Sequence, residues 1–246
     1  MYCEQPVAEL LGQWVECRWH VSGGSGRYAV PPDGCVDIVY SSSVGLSVVG
    51  AMTRERSFTF PAGEHLAGVR FRPGMAKTLL GGRCPGFSAA ELTDEVAPLQ
   101  AIWGVTAREA LRRLDDKRSS AACGTLLQDL LRPVEARNPV QRALAYAASH
   151  HGMINLDWVA CQSSLSIRQF RRRCLEESGL TPKRLCRILR FRYARGLAVA
   201  ARCPDWADIA VQSGYCDQAH LIRDFREFTG RTPMSVLSNL PGAQLD

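Results

Sequence analysis

The feature that most constrains this chain is an internal repeat in its C-terminal part. Ser178-Gly179-Leu180-Thr181-Pro182 and Thr229-Gly230-Arg231-Thr232-Pro233 match at an offset of 51 residues. Ahead of each lies a segment with a polar first residue and apolar residues at helical spacing: Ser166 to Cys174 in one copy, Asp217 to Phe225 in the other. Each of these follows a shorter stretch holding a small residue, Val159-Ala160 or Ile209-Ala210, and a turn, Ser163–Leu165 or Gly214-Tyr215-Cys216. The small residue lets two helices approach closely, and the turn swings the chain by roughly a right angle. The polar residue caps a second helix whose inner face is apolar, with Phe170 and Cys174 in one copy and Leu221 and Phe225 in the other. This is the pattern of a helix-turn-helix unit, present twice. The turns differ by one residue, so the copies are similar rather than identical.

Between the copies runs Pro182–Ala201, which carries Arg184, Arg187, Arg190, Arg192 and Arg195. At about 1.5 Å per residue it spans roughly 30 Å. That is close to the ~34 Å between successive major-groove faces of B-DNA. A stiff connector of this length would hold two reading helices on one side of a duplex. Charge agrees with a polyanionic partner for this part. Residues 1–138 hold 15 Lys+Arg and 15 Asp+Glu, whereas residues 139–246 hold 15 and 9, so the whole +6 lies in the second part.

The remaining pattern predicts an α+β chain with a β-rich first part and an all-α second part. Val36–Tyr40, Leu46–Val49, Ser57–Phe60 and Leu66–Phe71 read as strands. Ser22–Gly26 and Pro31–Gly34 read as loops. Met75–Leu80, Leu99–Leu114 and Ala121–Leu131 read as helices. Asn138-Pro139 starts a further helix well, because Asn caps free N–H groups and Pro suits the first turn. Helices are predicted beyond it at 139–151, 156–162, 166–178, 182–201, 206–213, 217–229 and 233–239. The expected division is residues 1–131, a linker at 132–138, and residues 139–246.

Residues 138–240 resemble the DNA-binding domain of the AraC/XylS family of transcription regulators. The resemblance is carried by Ser166–Gly179, Pro182–Leu197 and Asp208–Pro233. It implies that outward positions early in each second helix read bases: Arg168, Arg171 and Arg172 in the first copy, Ala219, His220 and Arg223 in the second. Arginine favours guanine, and Ala219 offers only apolar contact to a thymine methyl. Phosphate contact is the alternative for each arginine, and it is the expected role of Arg173. Residues 1–131 resemble the first domain of a less-studied subgroup of the same family, through Pro31–Tyr40, Val48–Gly50, Gly68–Gly74 and Glu91–Glu95 with Pro98-Leu99. This implies a sheet or barrel-like sensor followed by helices, binding a small effector or mediating dimerisation. Double-stranded DNA, a small-molecule effector, RNA polymerase for an activator, and a second copy are therefore the expected partners.

Four first-part residues are candidate effector contacts: Trp14 and Trp19 as apolar lining, Arg70 and Arg72 as anion-binding groups. Core packing and a surface ion-pair ladder are the competing readings. Asp33 serves as a turn-stabilising side chain or a ligand contact. Ten cysteines, none in a C-x-x-C pair, raise an alternative thiol- or metal-responsive regulator, with Cys35, Cys84 and Cys174 as candidates. His20, His65, Glu64 and Asp37 lack the spacing of a metal site, and no cofactor is implied. No phosphate loop, nucleophile elbow or paired-carboxylate motif points to an enzyme. With no apolar run of transmembrane length and no signal-peptide pattern at Met1–Gly12, a cytoplasmic location is expected.

Overall fold

The short Val-, Ile- and Phe-rich runs all form strands, three of them in one antiparallel sheet and Ser57–Phe60 in a separate ribbon. In this computed structural model the described residues are 2–21, 26–81, 84, 86–117, 119–131, 137–201 and 203–238. Residues 22–25 of the predicted loop Ser22–Gly26, most of the linker (132–136) and the end of the last helix (239) lie outside them, and Gly26 opens a strand instead. Eight strands are described: β1 (Tyr2–Gln5), β2 (Val15–Val21), β3 (Gly26–Val30), β4 (Val36–Ser41), β5 (Gly45–Val49), β6 (Arg56–Phe60), β7 (Leu66–Phe71) and β8 (Val96–Pro98). Six make a sheet in the order β1-β2-β7-β4-β5-β8, and β3 pairs with β6 in a separate ribbon.

Register decides which side chains face the core. Ile38 sits opposite Val69 and Val48, and Tyr40 sits opposite Ala67 and Leu46, so these residues share one face. All six are buried. The opposite face carries Arg70 beside Asp37 and Cys17, and Gly68 beside Trp19. Helices α1 (Ala76–Gly81), α2 (Gln100–Trp103), α3 (Val105–Asp115) and α4 (Ser120–Leu130) complete this part. α4 packs on β2 and β7, and α3 packs on α4 and β5. The run read as one helix from Leu99 breaks at Gly104, whose φ of 55 ends α2 and starts α3.

Among its described residues the second part has helices and no strand, as predicted: α5 (Pro139–Ser149), α6 (Leu156–Gln162), α7 (Ile167–Ser178), α8 (Pro182–Ala200), α9 (Trp206–Gln212), α10 (Gln218–Thr229) and α11 (Pro233–Ser238). Asn138 and Gln141 close a capping box at the start of α5. α8 is one uninterrupted helix of 19 residues, about 28 Å long at 1.5 Å per residue. Its inner face buries Leu185, Ile188, Leu189, Phe191, Ala194 and Ala198.

A single apolar cluster runs through both parts. It joins Ile38 and Phe71 of the sheet, through Met75, Leu80 and Leu144, to Phe170, Phe191 and Phe225. Gly74 marks the junction: its φ is 83, and a Cβ there would fall 2.3 Å from Leu144 Cδ1. Gly74→Ala is therefore expected to cost about 1–3 kcal/mol, combining left-handed backbone strain with overpacking. Urea unfolding measures this; an unchanged midpoint would show that α5 does not depend on the tight approach.

Candidate nucleic-acid interface

The two helix-turn-helix units share one construction. Asn155 caps α6 through Trp158 N (2.9 Å), and Asp205 caps α9 through Ala207 N (2.9 Å) and Asp208 N (3.2 Å). Val159-Ala160 and Ile209-Ala210 are buried, as close approach of the second helix requires. The turn passes through a left-handed residue in each copy, Ser164 (φ 54) and Gly214 (φ 72). These two lie 50 apart while the following caps, Ser166 and Asp217, lie 51 apart, which locates the extra residue of the second copy within the turn. Ser166 forms a capping box with Gln169, and Asp217 accepts from His220 N at 2.6 Å. Both reading helices end on a left-handed glycine, Gly179 or Gly230. The preceding hydroxyl bonds back into the helix: Ser178 to Cys174 O (2.7 Å) and Thr229 to Phe225 O (2.8 Å). This local chemistry is what the repeated Ser/Thr-Gly-x-Thr-Pro signature encodes.

Phe170 and Cys174 of α7, and Leu221 and Phe225 of α10, point inward and are buried. Phe191 of α8 meets Phe225 edge-on at 4.8 Å, and Trp206 meets it from α9 at 5.8 Å. With the inner faces fixed, Arg168, Arg171 and Arg172 are exposed on α7, and Ala219 and Arg223 are exposed on α10. The 51-residue offset makes Arg172 and Arg223 equivalent, and likewise Arg168 and Ala219. His220 is half-buried and packs edge-on against Tyr215 at 5.0 Å. Among the described residues no carboxylate pairs with Arg168, Arg171, Arg173 or Arg223. Arg172 pairs with Glu176 one turn on, at 2.8 Å, an exposed contact worth only about 0.3–0.5 kcal/mol.

The connector's arginines are placed differently. Arg187 pairs with buried Asp224 at 2.6 Å and with Glu227; Arg184 pairs with Glu227; Arg192 pairs with Glu16. Arg184 and Arg187 also lie over the Phe228 ring, at 4.7 and 5.3 Å. The Arg187 hydrogen bond, working against a smaller burial penalty and helped by Arg184, holds the Glu227 carboxyl at about 2. These three cations tie α8 to α10 and to the sheet.

Loops of the first part reach both reading helices, a contact the sequence did not announce. Thr93 Oγ1 donates to Gly179 O (2.6 Å), at the end of α7. Glu55 N donates to Phe228 O (2.6 Å) and its carboxylate pairs with Arg231 (2.5 Å), at the end of α10. Arg184 also donates to Thr53 O at 2.6 Å. Asp94 knits these loops together: its carboxylate accepts from Thr53 N and Thr53 Oγ1, both at 2.6 Å. α7 also packs against α1 and the Ala89–Leu92 turn. Glu177, buried on α7, accepts amide hydrogens from Asn138 and Gln141, each at 3.0 Å.

The four candidate effector residues do not gather around one cavity. Trp14 is fully buried beneath the Arg137 guanidinium, 5.7 Å from it. Arg72 is exposed beside it, donating from its backbone N to Trp14 O (2.9 Å) and from Nε to Gly12 O (2.7 Å). Trp19 lies on the outer sheet face against Tyr2, at 5.9 Å. Arg70 is surrounded by Glu4 (3.1 Å), Asp33 (3.3 Å) and Asp37 (3.3 Å), so its charge is already met within the chain. Asp33 also accepts from Cys35 N at 2.9 Å, the turn-stabilising geometry. Of the cysteine candidates, burial pushes the Cys35 thiol well up and Cys174 up to about 12. Those two thus lack the thiolate character a thiol sensor needs. Glu64 is engaged by Ser41 (2.5 Å) and Ser43 N (3.0 Å). Among the described residues no helix is long and apolar enough to cross a membrane.

The architecture defines a sheet domain joined to a double helix-turn-helix domain. Residues 159–239 match a helix-turn-helix domain family, and residues 4–98 match a domain of unknown function (DUF6597). The transcriptional activator RhaS of Escherichia coli O9:H4 (strain HS) and that of Escherichia coli (strain K12 / DH10B) are each 33% identical over 100 residues, 40% of this chain and 36% of theirs. The chain thus spans about a third of the length of these activators. The 1.65 Å structure of ToxT from Vibrio cholerae covers 90% of this chain and 100% of that one, at 11% identity and a TM-score of 0.47. Fatty-acid-bound ToxT from strain SCE256 covers 92% and 100%, at 9% identity and a TM-score of 0.46. The second part thus carries a helix-turn-helix domain similar to the AraC type, and the first part matches a domain whose function is not assigned.

Two outcomes are expected from this geometry. Asp94→Gly keeps the left-handed backbone (φ 59) but removes both hydrogen bonds to Thr53. It should lower hydrogen-exchange protection at 51–56 and at the end of α10, by about 1 kcal/mol, while α6 is unaffected; uniform protection would contradict the clamp. Glu227 contributes stability that is full above its ordinary 4.5 and lost as pH falls toward 2. The urea midpoint should therefore drop over that window, and drop less in Glu227→Gln; identical profiles would contradict the ion-pair assignment.

Proposed function

We propose that this chain is a sequence-specific transcription regulator that binds double-stranded DNA through α7 and α10 and answers to a small-molecule effector through residues 1–131. The observation that carries the DNA reading is the equivalence of Arg172 and Arg223. Both stand outward on capped helices whose inner faces are fixed, at corresponding positions of the two units. Arg168 and Arg171 flank the first, Ala219 and His220 the second. Arginine at such a position reads guanine O6 and N7, with about 1–3 kcal/mol of discrimination per bidentate contact. The positive excess beyond residue 138 supplies the non-specific part of the affinity. Such a protein acts where the chromosome is, in the cytoplasm, with RNA polymerase as partner if it activates.

Effector control is supported by the contacts of the sheet domain with the ends of both reading helices. A molecule that shifts those loops changes the mutual placement of α7 and α10, which is a population shift between two states.

Selection of bound duplexes from a random pool tests the DNA reading. The wild-type chain should enrich one bipartite motif. Arg172→Ala should alter the preferred base in one half, whereas Arg173→Ala should weaken all sequences alike. Equal losses on selected and random DNA in both variants would contradict the base-reading role.

A further inference from the structure

Arg184, Arg187, Arg192 and Arg231 at the domain junction each have a carboxylate partner. Arg72 and Arg137 differ. Among the described residues their acceptors are backbone carbonyls alone, Gly12 O for Arg72 and Gln13 O for Arg137. Arg137 Nε is buried and has no hydrogen-bond partner. Burial, and then the adjacent Arg72 charge, lowers the hold of Arg137 on its proton. Two guanidiniums side by side without a counter-ion are costly, and the buried N–H adds to that cost.

Both arginines line a cleft of about 650 Å³, a size typical of small-molecule sites. The opposite wall comes from α5 and α8, where Ala148, Leu189 and Leu197 give an apolar surface and Tyr193 stacks on His151 at 3.8 Å. Glu16 also borders the cleft, but its carboxylate is taken by Arg192. The cleft is therefore basic at one end, apolar along its floor, and shared between the sheet domain and the helices that carry the reading units.

We propose that this cleft binds a small organic anion, its charged group held between Arg72 and Arg137 and its apolar body lying on α5 and α8. The ligand supplies the counter-ion that no described residue offers these two arginines, and an acceptor for Arg137 Nε. A carboxylate or sulfonate suits a guanidinium pair through paired N–H donors. This moves the effector site of the regulatory reading from residues 1–131 alone to their junction with Arg137, α5 and α8, and it rests on that reading for its consequence: a bound anion bridges the sheet domain to α5 and α8.

Calorimetric titration of the full chain without DNA tests the site directly, with 4-butylbenzoate as probe. The neutral 4-butylbenzamide and inorganic phosphate serve as comparators. The benzoate should bind saturably, and each comparator should bind about tenfold or more weakly. Arg137→Gln should lose about tenfold or more, and Arg137→Lys should restore part of it. Ala148→Trp, which fills the floor, should abolish binding, whereas Arg108→Gln on α3 should leave it unchanged. No saturable benzoate binding, or equal binding in wild type, Arg137→Gln and Ala148→Trp, overturns the proposal. Phosphate binding as tightly as the benzoate overturns it too, because the apolar floor would then play no part. Anisotropy on a selected duplex, with the same preparations, separates the two readings: a chain that takes up the benzoate yet binds no DNA contradicts the regulatory reading and leaves the anion site standing.

Discussion

Burial of one face of α8 is the constraint on which the rest depends. Leu185, Ile188, Leu189, Phe191, Ala194 and Ala198 are held between the two helix-turn-helix units and the sheet domain. At about 25 cal/mol per Å² of apolar surface, six such side chains amount to many kcal/mol, far more than any single ion pair at the surface. The helix is unbroken over its 19 residues, so it acts as a ruler. The arginines of α8 add direction to this burial. Pairing with Asp224, Glu227 and Glu16, they fix how α10 and the sheet sit against the ruler.

The same constraint makes the sheet domain a participant in the placement of the reading helices. Its loops end on Gly179 O, at the C-cap of α7, and on Phe228 O, in the last turn of α10. Those are orphan acceptors of helix ends, which need partners wherever they are found. Supplying them from another domain couples the two helices through Thr53 and Asp94. One continuous apolar cluster joins the sheet to α7 and α8, and packed cores switch between arrangements rather than deform smoothly.

Much of this was legible in the sequence, because the information there is local. Caps, left-handed glycines and apolar spacing define α6, α7, α9 and α10 to within a residue, and the Arg172–Arg223 equivalence follows from the repeat offset alone. Strands β4 to β7 carry Val, Ile and Phe runs and were readable for the same reason. β2 was not, because Val15-Glu16-Cys17-Arg18-Trp19-His20-Val21 mixes charges with apolar residues on a strand contacted from both faces. β8, three residues long, exists only by pairing with β5. The Leu99–Leu114 pattern hid a break because Gly104 also fits a helix at small cost. Partners distant in sequence leave no periodic trace: Glu16 and Arg192 are 176 residues apart. For the effector candidates, spacing along a strand gave a face but not a neighbour. Arg72 lines the basic cleft and Trp14 is buried beneath Arg137, whereas Arg70 is already neutralised by three acids and Trp19 lies on the outer face.

On the proposed DNA reading, α7 and α10 are held at one fixed separation and enter successive major grooves on one side of the duplex. Helical phasing tests it most directly. Base pairs are inserted one at a time, up to a full turn, between the halves of a selected site, and affinity is measured for each duplex. Affinity should collapse with about half a turn inserted, which puts the second groove on the far side, and should stay weak after about ten base pairs because the ruler cannot lengthen. Affinity indifferent to the insertions would contradict it.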